Sequence, residues 1–360
     1  MWVVLQLVIG LVLLVVGAEW LVRGASRLAQ AFGVSPLVIG LTVVAFGTSA
    51  PELAVSAFAS FQGNADIALG NVVGSNIFNV LIILGISAVV MPLVVHTQLI
   101  RLDVPLMITV SGLVYVLALD GSISRLEGIG LFVGIILYTW LLIYLSRRET
   151  KEAQAEFSSN SPEIAPRKFG LWIDLFIIVA GLAALMVGSK FLIDSSTEIA
   201  RALGISELII GLTIVAAGTS LPELATSVVA AYRGQRDIAV GNVVGSNIFN
   251  ILSVLGLSAI LGQHGVAVSA TALNFDIPVM IAVAVMCFPV LYTGYIISRG
   301  NGLLFLGYYV AYVTYLILQQ YQLPVLDTFK NAMLWFVIPP TVATILALAV
   351  WQWRKNRVAA

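Results

Sequence analysis

Two glutamates, Glu52 and Glu223, stand deep within apolar stretches of the sequence. A carboxylate in such surroundings is costly unless a cation, a hydrogen bond or a proton compensates it. The pair therefore indicates a cation-binding site. The alternative is a protonated structural glutamate that bonds to a neighbouring helix, and two such residues in nearly identical surroundings make that alternative less attractive.

Oxygen-bearing groups precede each glutamate in the same order, because the chain reads GTSAPE from Gly47 and GTSLPE from Gly218. In a helix, side chains three or four residues before a glutamate lie on roughly its face. Each proline also removes a helical donor and frees the carbonyl four residues earlier. Such oxygens suit Ca²⁺ and Na⁺, whereas no nearby imidazole or thiolate favours zinc or copper. The hydroxyls belong to Thr48, Ser49, Thr219 and Ser220.

A polar stripe follows each glutamate segment, with side chains four residues apart on one helix face. Its members are Asn71, Ser75 and Asn79 in the first copy and Asn242, Ser246 and Asn250 in the second. Asn76 and Asn247 lie beside the stripe, and both ion ligation and interhelical hydrogen bonding suit them. Asp66 and Asp237 begin the same stretches and are expected to cap helices.

Composition identifies the environment of these residues. Of 360 residues, 60% are hydrophobic and 10% are charged, with a mean hydropathy of +1.03. A soluble domain is about 25% charged, so soluble enzymes, nucleic-acid binders and secreted disulfide scaffolds are excluded. Net charge is zero and the single cysteine, Cys287, allows no internal disulfide. The chain is therefore predicted to be an all-α polytopic membrane protein, with the lipid bilayer as its main partner.

Eleven apolar runs are long enough to cross a bilayer as helices. They lie near 2–22, 34–60, 66–92, 102–119, 127–146, 171–193, 205–231, 237–262, 273–296, 302–318 and 333–352. The polar stretch 147–170 is predicted to be a cytoplasmic linker, because 14 of the 18 Lys and Arg residues then fall on its side of the membrane. The N-terminus is predicted outside and the C-terminus inside.

An internal repeat organises the chain: residues 40–79 and 211–250 are identical at 28 of 40 positions without a gap. Each copy belongs to a unit of five spans, 1–146 and 171–318, and an odd number of spans inverts the second unit. Segment 319–360 adds a peripheral eleventh span and a basic cytoplasmic tail. Sites in inverted repeats lie near the membrane midplane on interrupted helices.

At these motifs the sequence resembles the cation/Ca²⁺ exchanger superfamily, specifically its prokaryotic sodium/calcium exchanger branch. The resemblance rests on GTSAPE, GTSLPE and two copies of GNVVGSNIFN. It implies a core of spans two, three, seven and eight around a diamond of ion sites. The implied ligands are carboxylates, hydroxyls, amides and two backbone carbonyls, from Glu52, Glu223, Thr48, Ser49, Thr219, Ser220, Ser75, Ser246, Asn79, Asn250, Ala45 and Ala216.

The expected function is antiport of Na⁺ for Ca²⁺ by alternating access, with both ions as substrates, no cofactor and no obligatory protein partner. Well-studied relatives often have Asp where this chain has Asn250, so ion stoichiometry and the choice of Na⁺ over H⁺ stay open, although GTSxPE favours Na⁺. The sequence also leaves K⁺ dependence open. A cation channel is a second class. An intramembrane enzyme is a third, disfavoured because His96 and His264 lie at loop edges. The expected location is the prokaryotic inner membrane.

Overall fold

The computed structural model describes residues 2–148, 170–203 and 216–358. The predicted linker therefore lies almost wholly outside the described residues, as does the first half of the seventh span. The helices are α1 (Trp2–Phe32), α2 (Pro36–Thr48), α3 (Ala50–Phe61), α4 (Ala65–Val90), α5 (Leu99–Asp120), α6 (Arg125–Arg148), α7 (Gly170–Ala202), α8 (Ala216–Gly218), α9 (Leu221–Tyr232), α10 (Arg236–Leu261), α11 (Ala272–Tyr292), α12 (Arg299–Gln320) and α13 (Leu326–Gln352).

The membrane-spanning architecture is confirmed. Within the described ranges, nine helices are long and apolar enough to cross a membrane, and the bent pair α2–α3 makes a tenth. The predicted seventh span is described only in part, as α8 and α9, and is not included in this count. Only 6% of the most apolar window of α13 is buried, so this extra helix is peripheral, as expected.

Helices α4 and α10 form the centre of the bundle. Their most apolar windows are 78% and 89% buried, far more than those of the other long helices. Each contains a π-helical segment, Asn79–Leu84 in α4 and Asn250–Leu255 in α10. Such widened turns in α-helices occur frequently at functional sites, and here both begin at an asparagine of the polar stripe.

Helices α1 and α7 are longer than the apolar runs that predicted them, which ended near residues 22 and 193. The extra turns of α1 carry charges that find partners at one end of the bundle. Arg27 Nη1 lies 3.4 Å from Asp174 Oδ1, and Arg23 forms an ion pair with Glu19. A hydrophobicity window cannot count such residues as helical, so it ends the span too early.

Glycines allow the backbones of α1 and α7 to pack in close contact. A Cβ atom added to Gly17 would lie 2.7 Å from the carbonyl oxygen of Gly181, and one added to Gly188 would lie 2.8 Å from that of Gly10. Small residues at such crossings are typical of helix packing in membranes. The two helices therefore form one tightly packed pair.

We expect Gly17→Ala to lower the stability of this pair, because its methyl group would meet backbone that cannot rotate away. The free energy of unfolding should fall by about 1–3 kcal/mol, the usual cost of overpacking, measured as thermal unfolding of the purified protein. Gly307→Ala is the control, since its methyl would meet no described atom within 4 Å. Equal melting temperatures for the two variants would contradict the close approach.

Two short antiparallel sheets fix the relative direction of equivalent spans. β1 (Leu93–Val94) pairs with β4 (Ile296–Ile297), and β2 (Ser122–Ile123) pairs with β3 (Val266–Ala267). Helix α5 runs from β1 to β2 and α11 from β3 to β4. The two helices therefore cross the bundle in opposite directions, as an inverted repeat requires.

Candidate ion-binding site

The candidate site lies where two spans are interrupted, at Ser49 and Ser220. α2 and α3 meet at Ser49 with a bend of 47°. Pro51, in the first turn of α3, lacks the N–H that would continue the helix to Gly47. Glu52 and Glu223 lie in the first turns of α3 and α9, where the positive end of the helix dipole favours an anion.

Each carboxylate is held by the serine of the opposite repeat. The Ser49 hydroxyl donates to Glu223 Oε1 at 2.8 Å, and the Ser220 hydroxyl donates to Glu52 Oε1 at 2.9 Å. All four residues are buried, with at most 1% of their surface exposed. The two interrupted spans therefore meet at the glutamates and share one buried polar centre.

The side chains of Asn71 and Asn242 form hydrogen bonds to the interrupted spans, next to Ser220 and Ser49. Asn71 Nδ2 donates to the Glu52 carbonyl at 3.3 Å and to Ser56 Oγ at 2.9 Å, while Thr219 Oγ1 donates to its amide oxygen at 3.2 Å. Asn242 makes the matching bonds to the Glu223 carbonyl and Ser227. Thr48 Oγ1 lies 3.1 Å from the Asn242 amide oxygen.

Four asparagines link α4 to α10, whose π-helical segments pack against α9 and α3, the helices that carry the glutamates. Asn79 Nδ2 donates to the Asn247 amide oxygen at 3.0 Å, and Asn250 Nδ2 donates to the Asn76 amide oxygen at 3.1 Å. For Asn76 and Asn247 the structure thus shows the interhelical hydrogen bonding that the sequence left open against ligation.

Several buried oxygens of the predicted ligands have no hydrogen-bond partner among the described residues. They are Glu52 Oε2, Glu223 Oε2, Asn79 Oδ1, Asn250 Oδ1 and Ser246 Oγ. A buried polar atom left without a partner costs roughly 1–3 kcal/mol, and more if it is charged. A cation bound by these atoms would remove that cost. The described residues contain no cluster of three or more His, Cys, Asp or Glu, so its ligands would be two carboxylates and neutral oxygens.

Two further predicted ligands, Ser75 and Ala45, contact the serines at the breaks. Ser75 Oγ lies 3.2 Å from Ser220 Oγ. The Ala45 carbonyl accepts from the Ser49 N–H at 3.0 Å, so it is already engaged within its helix. Ala216 is the first residue of α8, immediately after an undescribed stretch.

The expected caps are wrong in detail. Helices α4 and α10 have Asn64 and Gln235 at their N-cap positions, and neither side chain makes a capping bond. Asp66 and Asp237 are instead the second residues of their helices, in the first turn, where their charge still suits the helix dipole.

A second repeated pair of acidic residues escaped the sequence comparison. Asp103 ends a π-helical turn of α5 and accepts a hydrogen bond from the Tyr138 hydroxyl at 2.9 Å. Asp276 ends the matching turn of α11 and accepts one from Tyr312 at 3.2 Å. The signal is the pair DVPLM (103–107) and DIPVM (276–280), whose separation of 173 rather than 171 hides it from an ungapped alignment.

We expect Tyr138→Phe to destabilise the protein, because it removes the hydroxyl donor of a fully buried carboxyl whose other oxygen has no described partner. The free energy of unfolding should drop by about 1–3 kcal/mol, measured by thermal unfolding in detergent. Tyr232→Phe, at an exposed tyrosine, is the control. A Tyr138→Phe protein as stable as this control would show that the bond contributes nothing.

Comparison with known proteins decides the family. A family model described as "Sodium/calcium exchanger protein" matches residues 2–144 and 173–318, both halves of the repeat. The chain belongs to this exchanger family. "Sodium/calcium exchanger MaX1" of Methanosarcina acetivorans is 37% identical over 348 residues, covering 87% of this chain and 97% of MaX1. "Inner membrane protein YrbG" of Escherichia coli K12 is 37% identical over 317 residues, covering 86% of this chain and 95% of YrbG.

A solved structure extends the likeness to three dimensions. The sodium-calcium exchanger NCX_Mj, soaked with Na⁺ and Sr²⁺, has a TM-score of 0.74 and 32% identity, covering 87% of this chain and 97% of NCX_Mj. The predicted family and fold class are therefore confirmed. This exchanger is an integral membrane protein of a family that exchanges cations with Ca²⁺, and that family consists of transporters rather than enzymes.

Proposed function

We propose that this exchanger is an antiporter that moves Na⁺ against Ca²⁺ through one site built around Glu52 and Glu223. The observation that carries the proposal is the pair of buried carboxylates from opposite repeats. Each has one oxygen held by the other repeat's serine and one oxygen without a described partner. Names of relatives such as "Sodium/calcium exchanger MaX1" support the same choice of ions.

The charge of the site explains why exchange would be obligatory. Two ionised carboxylates give a site charge of −2, which one Ca²⁺ or two Na⁺ neutralise. An empty site would leave two like charges in a medium of low dielectric constant, where they repel strongly. Reorientation is therefore cheap when the site holds cations and costly when it is empty.

The proposed coordination uses oxygens only, which suits both hard cations. Carboxylates would come from the two glutamates, and hydroxyl, amide and carbonyl oxygens from the residues around them. The proposed set is Glu52, Glu223, Thr48, Ser49, Thr219, Ser220, Ser75, Ser246, Asn79, Asn250, Ala45 and Ala216.

Alternating access would come from movement of the α1–α7 pair against the central helices. The two helices are held together by glycine contacts between backbones, so they would move as a unit. Their most apolar windows are each only 22% buried, which leaves these long helices mainly in contact with lipid rather than fixed in the core.

The proposed orientation places the N-terminus outside and both the linker and the C-terminus in the cytoplasm of a prokaryotic inner membrane. Arg27 and Arg233 lie in ion pairs at one end of the bundle, which the positive-inside rule assigns to the cytoplasm. The printed name of YrbG, an inner membrane protein, supports the location.

A Ca²⁺/H⁺ antiporter is the second candidate, and a K⁺-dependent Na⁺/Ca²⁺ exchanger is a variant of the first. The specific observation is that both central amide positions, Asn79 and Asn250, are neutral. The site charge therefore rests on two carboxylates alone, a number that two protons could also satisfy.

The test is ⁴⁵Ca²⁺ uptake into proteoliposomes under an outward Na⁺ gradient, with outward H⁺ or K⁺ gradients as parallel arms. Uptake driven by Na⁺ without K⁺ is the expected result. Uptake with H⁺ alone would assign the second candidate, and a requirement for K⁺ together with Na⁺ would assign the variant. Rapid Ca²⁺ flux without any counter-ion would instead indicate a channel.

A further inference from the structure

We propose that Asn76 and Asn247 are positioning residues: each fixes the amide of a cation ligand from the opposite repeat so that its oxygen, not its NH₂ group, is available to the ion. The ligands so fixed are Asn250 and Asn79. This inference rests on the proposed function, because it assigns those two amides to the cation. Asn76 and Asn247 themselves need not touch the ion.

The orientation of Asn250 follows from a chain of bonds that begins at a backbone carbonyl. Asn76 Nδ2 donates to the carbonyl oxygen of Asn247 at 3.2 Å, and a carbonyl can only accept. The amide oxygen of Asn76 is thereby committed to its other side, where Asn250 Nδ2 donates to it at 3.1 Å. Asn250 is left with an oxygen that is buried and has no described partner.

The orientation of Asn79 is fixed in the same way but from a weaker anchor. Asn247 Nδ2 donates to the Met107 sulfur at 3.4 Å, and a thioether is only a weak acceptor. The amide oxygen of Asn247 then accepts from Asn79 Nδ2 at 3.0 Å. Asn79 Oδ1 is also buried without a described partner. Replacing Asn76 should therefore lower the Ca²⁺ affinity more than replacing Asn247.

The consequence concerns affinity. An amide's oxygen and NH₂ group have similar size, so packing alone hardly distinguishes the two orientations. A flipped amide would present the positive end of its dipole to a cation. The bonds from Asn76 and Asn247 make that flip costly, because Nδ2 would lose its acceptor and two oxygens would face each other.

Two variants of Asn76 separate orientation from packing. Asn76→Leu keeps a similar volume but removes the acceptor that holds Asn250. Asn76→Asp is isosteric, and its protonated carboxyl keeps both bonds, because the OH donates to the Asn247 carbonyl while the other oxygen accepts from Asn250 Nδ2. Ser26→Ala is the matched control, because among the described residues its buried hydroxyl bonds to Val22 of its own helix alone. Asn247→Leu tests the second contact, because it removes the acceptor that holds Asn79.

The readouts are the Ca²⁺ concentration for half-maximal flux and the Ca²⁺-induced rise in melting temperature. We expect the half-maximal concentration to rise about 10-fold or more in Asn76→Leu, with the maximal rate retained, since one hydrogen bond of about 1.4 kcal/mol corresponds to tenfold. Asn247→Leu should show a smaller rise. Asn76→Asp should be weakened by no more than about threefold, since its protonated carboxyl keeps both the donor and the acceptor.

Half-maximal concentrations like the wild type's in both leucine variants would overturn the inference. A loss in Asn76→Asp as large as in Asn76→Leu would also overturn it, because the acceptor would then not be what Asn76 supplies. If Asn76→Leu does not fold, Asn76→Asp and Asn247→Leu decide. A wild-type protein that neither binds nor moves Ca²⁺ would reject the proposed function instead.

Discussion

Replacing either central carboxylate by its neutral isostere, Glu52→Gln or Glu223→Gln, should abolish Ca²⁺ exchange. The reason is electrostatic: the site charge falls from −2 to −1, which one Na⁺ balances but Ca²⁺ exceeds. The glutamine keeps an oxygen for the serine of the other repeat, so the fold should persist. Transport is measured as ⁴⁵Ca²⁺ uptake into proteoliposomes, and folding as the melting temperature.

The control for these variants is Asp66→Asn, which removes an exposed carboxylate from the first turn of α4. It makes the same change in net charge outside the site and should leave uptake intact. Because the repeats contribute one glutamate each, both glutamine variants should fail equally. Full activity in either one would refute the assignment of the site.

Removing either serine hydroxyl should weaken Ca²⁺ binding strongly but, unlike the glutamine substitutions, should not abolish exchange. Ser49→Ala leaves Glu223 Oε1 without its described donor, and Ser220→Ala does the same to Glu52. A hydrogen bond to a charged group contributes roughly 1.5–3 kcal/mol, so we expect the Ca²⁺ concentration for half-maximal uptake to rise about 10- to 150-fold.

Ser60→Ala is the matched control for the serine variants. Its buried hydroxyl also bonds across a helix interface, to the Ser258 carbonyl at 2.6 Å, but touches neither glutamate. It should leave the half-maximal concentration unchanged. The role of the hydroxyls would be wrong if Ser49→Ala and Ser220→Ala behaved like Ser60→Ala.

Much of the architecture could be predicted because the membrane restricts the chain to apolar helices. The near-identity of 40–79 and 211–250 further revealed the inverted repeat. Glu52 and Glu223 stood out because ionisable residues are rare in such helices. The structure brings both to one centre, with the serines that precede them.

What the sequence could not supply is geometry between helices. The bonds of Ser49 to Glu223 and of Ser220 to Glu52 join residues more than 160 positions apart, and periodicity says nothing about which repeat supplies the donor. The C-terminal turns of α1 were missed because charged residues such as Arg27 lower the hydropathy there, and the sequence does not show its ion pair with Asp174 of α7. Asp103 was missed because two extra residues shift its repeat equivalent.

The most direct test of the central claim, one shared site for both ions, is equilibrium binding of ⁴⁵Ca²⁺ to the purified protein. Na⁺ is raised at constant ionic strength with a large organic cation as replacement. We expect Na⁺ to displace bound Ca²⁺ competitively, so that the apparent Ca²⁺ affinity falls while the number of sites stays the same. Bound Ca²⁺ that does not respond to Na⁺ would contradict the account.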